Sequence, residues 1–318
     1  MHSFFTRLKW RWLAVGVLFV LFGGIYYAAS APADFSSSLV IVARGSTVKE
    51  AAQQLGKAHV VRHPFVLEWL LRAGGNGRSV QATTYNFEKP QSVFVIARRL
   101  ATGDSGLPLV RLTFVEGATA REMAEQIESA LPDISAQEFS SVARQYEGYL
   151  FPDTYLFELT STGPAIVKTM RENFDKKIAP LAASIAGSSH SLSDIVTMAS
   201  LVEKEARTPE DRRIIAGILW KRLELGMPLQ VDAVFGYIQN RDTYSPSFAD
   251  LKIESPYNTY LHPGLPPGPI ANPGFDSLEA VLHQTSSDYL YYLTGKDGNM
   301  YYAVTYATHL ANQRKYLK

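Results

Sequence analysis

Residues Trp12 to Ala29 form a run of 18 residues without a charged side chain, and that run limits what the rest of the chain can be. At about 1.5 Å per residue, a helix of this length just crosses a hydrocarbon layer of roughly 30 Å. Arg7, Lys9 and Arg11 precede it, Tyr26 and Tyr27 close it, and Ala31-Pro32-Ala33-Asp34 comes next. Cations before the run and aromatics at its far end predict a single spanning helix over residues 12–30, with residues 1–11 cytoplasmic and the remainder facing outward. The alternative is a cleaved leader, since Ala29-Ser30-Ala31 has the small-x-small pattern of a cleavage site. The apolar run exceeds the roughly 7 to 15 residues of a signal-peptide core, which favours the anchor.

Beyond the anchor the chain is globular in composition. Its 318 residues are 46% hydrophobic and include 17 Tyr and 16 Phe, enough for one or two sizeable cores. Lys and Arg number 31 against 30 Asp and Glu, so no large uniform field draws the chain to nucleic acid, and none is expected as a partner. The absence of Cys excludes disulfides, thiolate zinc sites and a cysteine nucleophile.

Two copies of one phrase organise the first half. Ser38-Leu39-Val40-Ile41-Val42 reads as a strand, Gly45-Ser46-Thr47 as a turn with a hydroxyl cap, and Val48 to Leu55 as a helix. The phrase returns 72 residues later as Arg111 to Val115, Gly117-Ala118-Thr119 and Ala120 to Ile127. Between the copies, Tyr85-Asn86-Phe87 predicts a short strand, and Ser92 to Leu100 an amphipathic helix with Val93, Ile96, Ala97 and Leu100 on one stripe. The fold class is therefore α+β: a small module over residues 38–110 and a mixed α/β domain over 111–318. On pattern alone the module serves either a structural role or glycan binding.

Further on, Ser135 or Ser140 begins a helix. Glu147-Gly148-Tyr149-Leu150-Phe151-Pro152-Asp153-Thr154-Tyr155 reads either as a loop lining a groove or as a packed turn between domains. Helices are expected over Pro164 to Ile178 and Ser193 to Arg207, parted by the small polar stretch Gly187 to Ser191, in which His190 is expected to be solvated.

The second of these helices carries the chemistry. At 3.6 residues per turn, Ile195, Met198, Ala199, Val202 and Ala206 share an apolar stripe, Lys204 points away from it, and Glu203 and Glu205 flank it. Glu205 falls within the apolar arc, between Leu201 and Met198. Desolvation there raises a carboxyl pKa, as a general acid working near neutral pH requires, although a boundary Glu on an amphipathic helix has the same pattern. Thr208-Pro209-Glu210-Asp211 starts the next helix, which stops at Gly226. Then come Leu229-Gln230-Val231-Asp232, Ser255-Pro256-Tyr257-Asn258-Thr259-Tyr260 and the Pro- and Gly-rich run Gly264 to Gly274. Tyr, Asn, Gln and Asp among rigid turns suit a carbohydrate groove.

These segments, in this order, resemble the YceG-like family of endolytic murein transglycosylases. The likeness rests on Met198-Ala199-Ser200-Leu201-Val202-Glu203-Lys204-Glu205, Leu229-Gln230-x-Asp232, Tyr257-Asn258-Thr259-Tyr260, Gly264-Leu265-Pro266-Pro267-Gly268-Pro269-Ile270 and Asn272-Pro273-Gly274, and covers roughly residues 40–318. The resemblance implies a single N-terminal membrane helix, a LysM-like module and a catalytic domain whose acid is the second Glu of Val-Glu-Lys-Glu, Glu205, with Glu203 as the fallback. It implies lyase chemistry at the bond from N-acetylmuramic acid to N-acetylglucosamine, closing a 1,6-anhydro ring. Gln230, Asp232, Tyr257 and Asn258 would then position the sugars. It further implies an inner-membrane protein with a periplasmic catalytic domain, peptidoglycan strands as substrate and peptidoglycan synthases as partners.

Other chemistries lack their signatures. There is no His-Glu-x-x-His, Gly-x-Ser-x-Gly, Gly-Lys-Ser/Thr or Gly-x-Gly-x-x-Gly phrase, and no metal or cofactor is expected. Two rivals stand beside the lyase: a catalytically inactive, membrane-tethered scaffold that binds peptidoglycan, and a hydrolase pairing Glu205 with Asp232.

Overall fold

The computed structural model describes residues 20, 22–24, 26–74, 80–241 and 246–317. Most of the expected spanning segment, residues 12–30, lies outside them, and no helix of the described residues is long and apolar enough to cross a membrane. The chain divides into two compact units, Met1–Pro108 and Leu109–Lys318.

In the first unit, β1 (Ser38–Ile41) pairs antiparallel with β2 (Thr84–Phe87), with Val40 opposite Tyr85. Between them come α1 (Val48–Lys57) and α2 (Pro64–Ala73), and α3 (Val93–Thr102) comes after β2. Thr47 and Glu50 cap α1 reciprocally: the Thr47 hydroxyl accepts from the Glu50 N–H while the Glu50 carboxylate accepts from the Thr47 N–H at 2.7 Å. Leu55, Leu67, Tyr85, Phe87, Ile96 and Leu100 close the core. The sequence pattern does not announce α2, because apolar residues occupy nearly every side of it and leave no stripe for periodicity to detect.

The second unit opens with the repeated phrase. β3 (Leu109–Thr113) pairs antiparallel with β4 (Thr154–Glu158), and Thr119 and Glu122 form the same reciprocal cap on α4 (Ala120–Ala130). With α5 (Ala136–Ala143), capped by Ser135, and α6 (Gly163–Ile178), these elements enclose one apolar cluster that includes Phe139, Tyr155 and Met170. A second cluster forms around α8 (Leu192–Glu205), which comes after the short α7 (Ala182–Gly187) and packs against α9 (Pro209–Glu224), α10 (Ala233–Gln239) and α11 (Phe275–Leu282). The chain closes with the hairpin β5 (Tyr291–Thr294) and β6 (Met300–Ala303) and then α12 (Tyr306–Tyr316).

Two local expectations change. Helix α8 is buried all round from Ile195 to Leu201, not along one stripe alone, because helices and the Gly264–Gly274 run cover its far side. His190 is not simply solvated: its ring stacks on Trp220 with centroids 3.7 Å apart.

The segment Glu147–Tyr155 is mostly a packed turn. Gly148 holds φ +83°, and a Cβ there would lie 2.4 Å from Pro269 and 2.8 Å from Val196 of α8. Gly148→Ala combines backbone strain with overpacking against the central helix. It should lower the stability of this unit by on the order of 1–3 kcal/mol in urea denaturation, with unchanged steepness.

Candidate active site

A cavity of about 660 Å³ opens in the second unit, and Glu205, the last residue of α8, stands on its wall. Asp232, Tyr237, Tyr257, Glu147 and Lys204 also line it. The helix delivers Glu205 here because the residues before it are locked in the core, with Val202 and Ala206 buried on either side.

Glu205 is half-buried, and the Tyr292 hydroxyl and the Ala233 backbone N–H face its carboxylate as donors. Burial pushes its pKa up to about 7; the neighbouring Asp232 charge adds to the rise, while Tyr292, Ala233 and Arg222 oppose it. Its place at the negative end of the α8 dipole acts in the same direction as burial. Tyr292 stays protonated, its own pKa raised by burial and then by the Glu205 charge, so it remains a donor.

Arg222, on α9, organises this corner. Only 5% exposed, it donates from Nε to the Leu290 carbonyl and from Nη1 to the Leu229 carbonyl, both at 2.7 Å. One guanidinium therefore ties the approach to Tyr292 to the approach to Asp232. Asp232 accepts from the Tyr260 hydroxyl at 2.5 Å, and Tyr237 and Tyr257 meet with ring centroids 5.0 Å apart.

The cavity lining carries a second buried acid. Glu147 accepts from the Ala120 N–H at 2.9 Å and from Asn272 Nδ2 at 2.8 Å, and burial raises it to about 7 against those bonds. Asn272, fully buried, also donates to the Ala118 carbonyl and accepts from the Leu150 N–H. This clasp joins three stretches of chain distant in sequence. Both acids meet protein donors, but those of Glu147 tie it into a clasp that holds distant stretches of chain together.

The expected site residues separate under this geometry. Glu205, Asp232 and Tyr257 line the cavity. Asn258 does not reach it: fully buried, it donates to the Leu251 and Ile253 carbonyls and accepts from the Tyr260 N–H, so it shapes the loop that carries Tyr257 and Tyr260. Gln230 also stands off the cavity, exposed, at φ +52°, with its N–H on the Thr259 carbonyl. Glu203 is committed elsewhere, accepting from Arg212 at 2.7 Å and the Gly274 N–H at 2.9 Å, and its side chain is 4% exposed. Sequence reasoning missed Tyr292, Arg222, Tyr260, Tyr237 and Glu147, which lie outside the quoted motif positions or, for Tyr260 and Glu147, were read only as part of a run. Among the described residues, no three His, Asp or Glu side chains converge as a metal site would need.

Residues 40–315 match the model of the YceG-like family. The chain belongs to the YceG-like family. It is 30% identical to the endolytic murein transglycosylase of Streptococcus pneumoniae serotype 2 over 88% of this chain, and spans 59% of that relative's length. It is likewise 30% identical to the endolytic murein transglycosylase of Bacillus subtilis, over 86% of this chain and 83% of the other. The crystal structure of a yceG-like protein from Listeria monocytogenes is 27% identical and superposes with a TM-score of 0.59, covering 87% of this chain and 99% of its own.

Within this YceG-like site the two glutamates of Val-Glu-Lys-Glu can be told apart. Glu203→Gln should cost on the order of 1–3 kcal/mol by replacing the buried charge partner of Arg212 with a neutral amide, leaving Asp276 at 3.7 Å as its nearest acid, seen as a lower melting temperature, while the pH dependence of activity keeps its midpoint. Tyr292→Phe should act the other way: with its donor gone, the Glu205 pKa rises, and the alkaline limb of the kcat/KM profile moves from about 7 to higher pH. Measured pH–rate profiles of the two variants check both.

Proposed function

We propose that this chain is a membrane-anchored lytic transglycosylase that cleaves the β-1,4 bond from N-acetylmuramic acid to N-acetylglucosamine within peptidoglycan strands. The observation that carries the reading is Glu205: an acid raised to about 7 by burial, aimed into a cavity, with a hydroxyl donor beside it. The names of the pneumococcal and Bacillus relatives support the same reaction.

In this reading, neutral Glu205 protonates the leaving glycosidic oxygen as the C1–O4 bond breaks. The resulting carboxylate then takes the proton of the muramic C6 hydroxyl as O6 bonds to C1, so no water is consumed and the acid is restored. Asp232, held by Tyr260, faces the positive charge that develops at C1, and Arg222 and Tyr292 fix the geometry from behind. Tyr237 and Tyr257 offer ring faces for sugar stacking. Gln230 and Asn258 support the loops that carry these groups.

The same reading extends to the rest of the chain. The apolar run Trp12–Ala29 with its preceding cations supports an inner-membrane anchor and a periplasmic catalytic domain. The β1-α1-α2-β2 order with antiparallel pairing supports a LysM-like, glycan-binding role for residues 38–110. Cleavage near the membrane would end growing strands, with peptidoglycan synthases as working partners.

Product mass from purified peptidoglycan tests the reaction. The native chain should release 1,6-anhydro-muramyl ends, and Glu205→Gln should lose at least about a hundredfold in rate, the scale of a lost general acid, while keeping its fold by circular dichroism. Ends heavier by one water would overturn the lyase in favour of a hydrolase pairing Glu205 with Asp232. Native-rate release by the variant would overturn the assignment of Glu205.

A further inference from the structure

Helix α2 is unusually apolar for an element on a surface. Its sequence, Pro64-Phe65-Val66-Leu67-Glu68-Trp69-Leu70-Leu71-Arg72-Ala73, holds one acid and one base, and these pair with each other at 2.8 Å. Leu67 and Leu71 face the core of the first unit. Phe65 and Trp69, one turn apart, are 70% and 65% exposed. Apart from the Glu68–Arg72 pair, α2 is apolar on the side turned away from the core as well as on the core side, and a helix with two apolar faces belongs inside a core or against lipid.

The neighbours of α2 indicate what covers it. The apolar run that begins at Trp12 ends on this unit: Ala29 packs on its core, and Arg62, two residues before α2, donates to the Ala31 carbonyl at 2.6 Å. The Arg62 guanidinium lies 4.2 Å from the Tyr27 ring centre. Tyr27 contacts His63 at 6.3 Å between centroids, and His63 contacts Phe65 at 5.9 Å. A ladder of rings therefore leads from the end of the anchor to the exposed face of α2, and Trp69 lies about 6 Å further along the helix. Aromatics with flanking Arg are the side chains that settle at a membrane interface.

We propose that α2 docks on the bilayer, with Phe65 and Trp69 at the acyl–headgroup boundary of the leaflet where the proposed anchor, the apolar run Trp12–Ala29, emerges, and Arg62 and Arg72 toward the lipid phosphates. This docking rests on the proposed anchor and goes beyond it. A single spanning helix leaves an attached module free to swivel; a second contact on the same surface fixes its orientation.

The chain contains no Cys, so single-cysteine variants report one position each. The full-length chain is reconstituted into vesicles of phosphatidylethanolamine and phosphatidylglycerol, with an environment-sensitive dye at Phe22→Cys, at Trp69→Cys, and at Gln53→Cys on the exposed side of α1. Quenching by spin labels in the lipid and by aqueous iodide is then compared. Docking expects the position-69 dye to be blue-shifted and quenched by lipid labels near the headgroup, intermediate in depth between positions 22 and 53. A position-69 dye as aqueous as position 53, with position 22 deep in the bilayer, overturns the docking and leaves the anchor standing. A water-exposed position 22 overturns both. Shielding of position 69 from iodide without lipid quenching means a protein surface covers α2, and also overturns the proposal.

Discussion

A carboxyl group at the end of a helix buried on every side constrains everything around the cavity. Helix α8 enters the core with Ile195, Val196, Met198, Ala199 and Leu201 all covered, and a helix in that position has no freedom to turn its last residue back to water. Its Ser200 hydroxyl, deep in the interior, is satisfied: it donates to the Thr197 carbonyl at 2.7 Å and accepts from the Ile270 N–H at 3.0 Å. The bond to Ile270 ties the Pro- and Gly-rich run to the helix, so the wall of the cavity and the acid are set by one packing arrangement. Burial, with the helix dipole acting in the same direction, brings a carboxyl normally ionised near pH 4.5 to the middle of the neutral range.

The remaining walls depend on buried polar side chains that bind backbone, with apolar packing behind them. Asn272 joins the turn at Ala118, the Leu150 N–H and Glu147; Asn258 closes its own loop; Arg222 holds the Leu229 and Leu290 carbonyls. Each replaces water on groups that would otherwise be unpaired in the interior, where an unmade bond costs about 1–3 kcal/mol. This division explains why several polar residues of the motif segments stand away from the cavity. They hold the loops, and tyrosines and carboxylates on those loops face the opening.

Local interactions were legible in the sequence and distant ones were not. The caps at Thr47 and Thr119 involve residues three apart, so Gly-Ser-Thr and Gly-Ala-Thr before a helical pattern reveal their hydroxyl half, while the reciprocal bonds from Glu50 and Glu122 emerge in the structure. The arc position of Glu205 also comes from spacing alone, because desolvation depends on which side of the helix is apolar. By contrast, Tyr292 reaches Glu205 from a hairpin near the C-terminus, and Arg222 acts on carbonyls 7 and 68 residues away. No periodicity encodes such pairings. Asn258 looked like a sugar ligand for the same reason it makes a good loop clasp: an amide offers two donors and an acceptor to whatever is nearest, and here that is backbone.

The two acids of the cavity, both near 7, show that pKa alone does not assign a role. Glu147 faces donors that prefer its ionised form, the Ala120 N–H and the Asn272 amide, and burial, helped by the Glu122 charge, outweighs them. Glu205 also faces two donors, the Tyr292 hydroxyl and the Ala233 N–H, but stands on the wall of the open cavity beside Asp232. For stability the two act with the same sign. Each carboxyl is raised in the folded state from 4.5 to about 7, so between those values the folded domain holds more protons than the unfolded chain, and its stability falls as pH rises through the window. Below it both states are protonated and the contribution is constant; above it both are ionised. The protonated form of Glu205 is the form a general acid needs, so under the proposed mechanism the burial that raises its pKa also makes the working protonation state the more stable one.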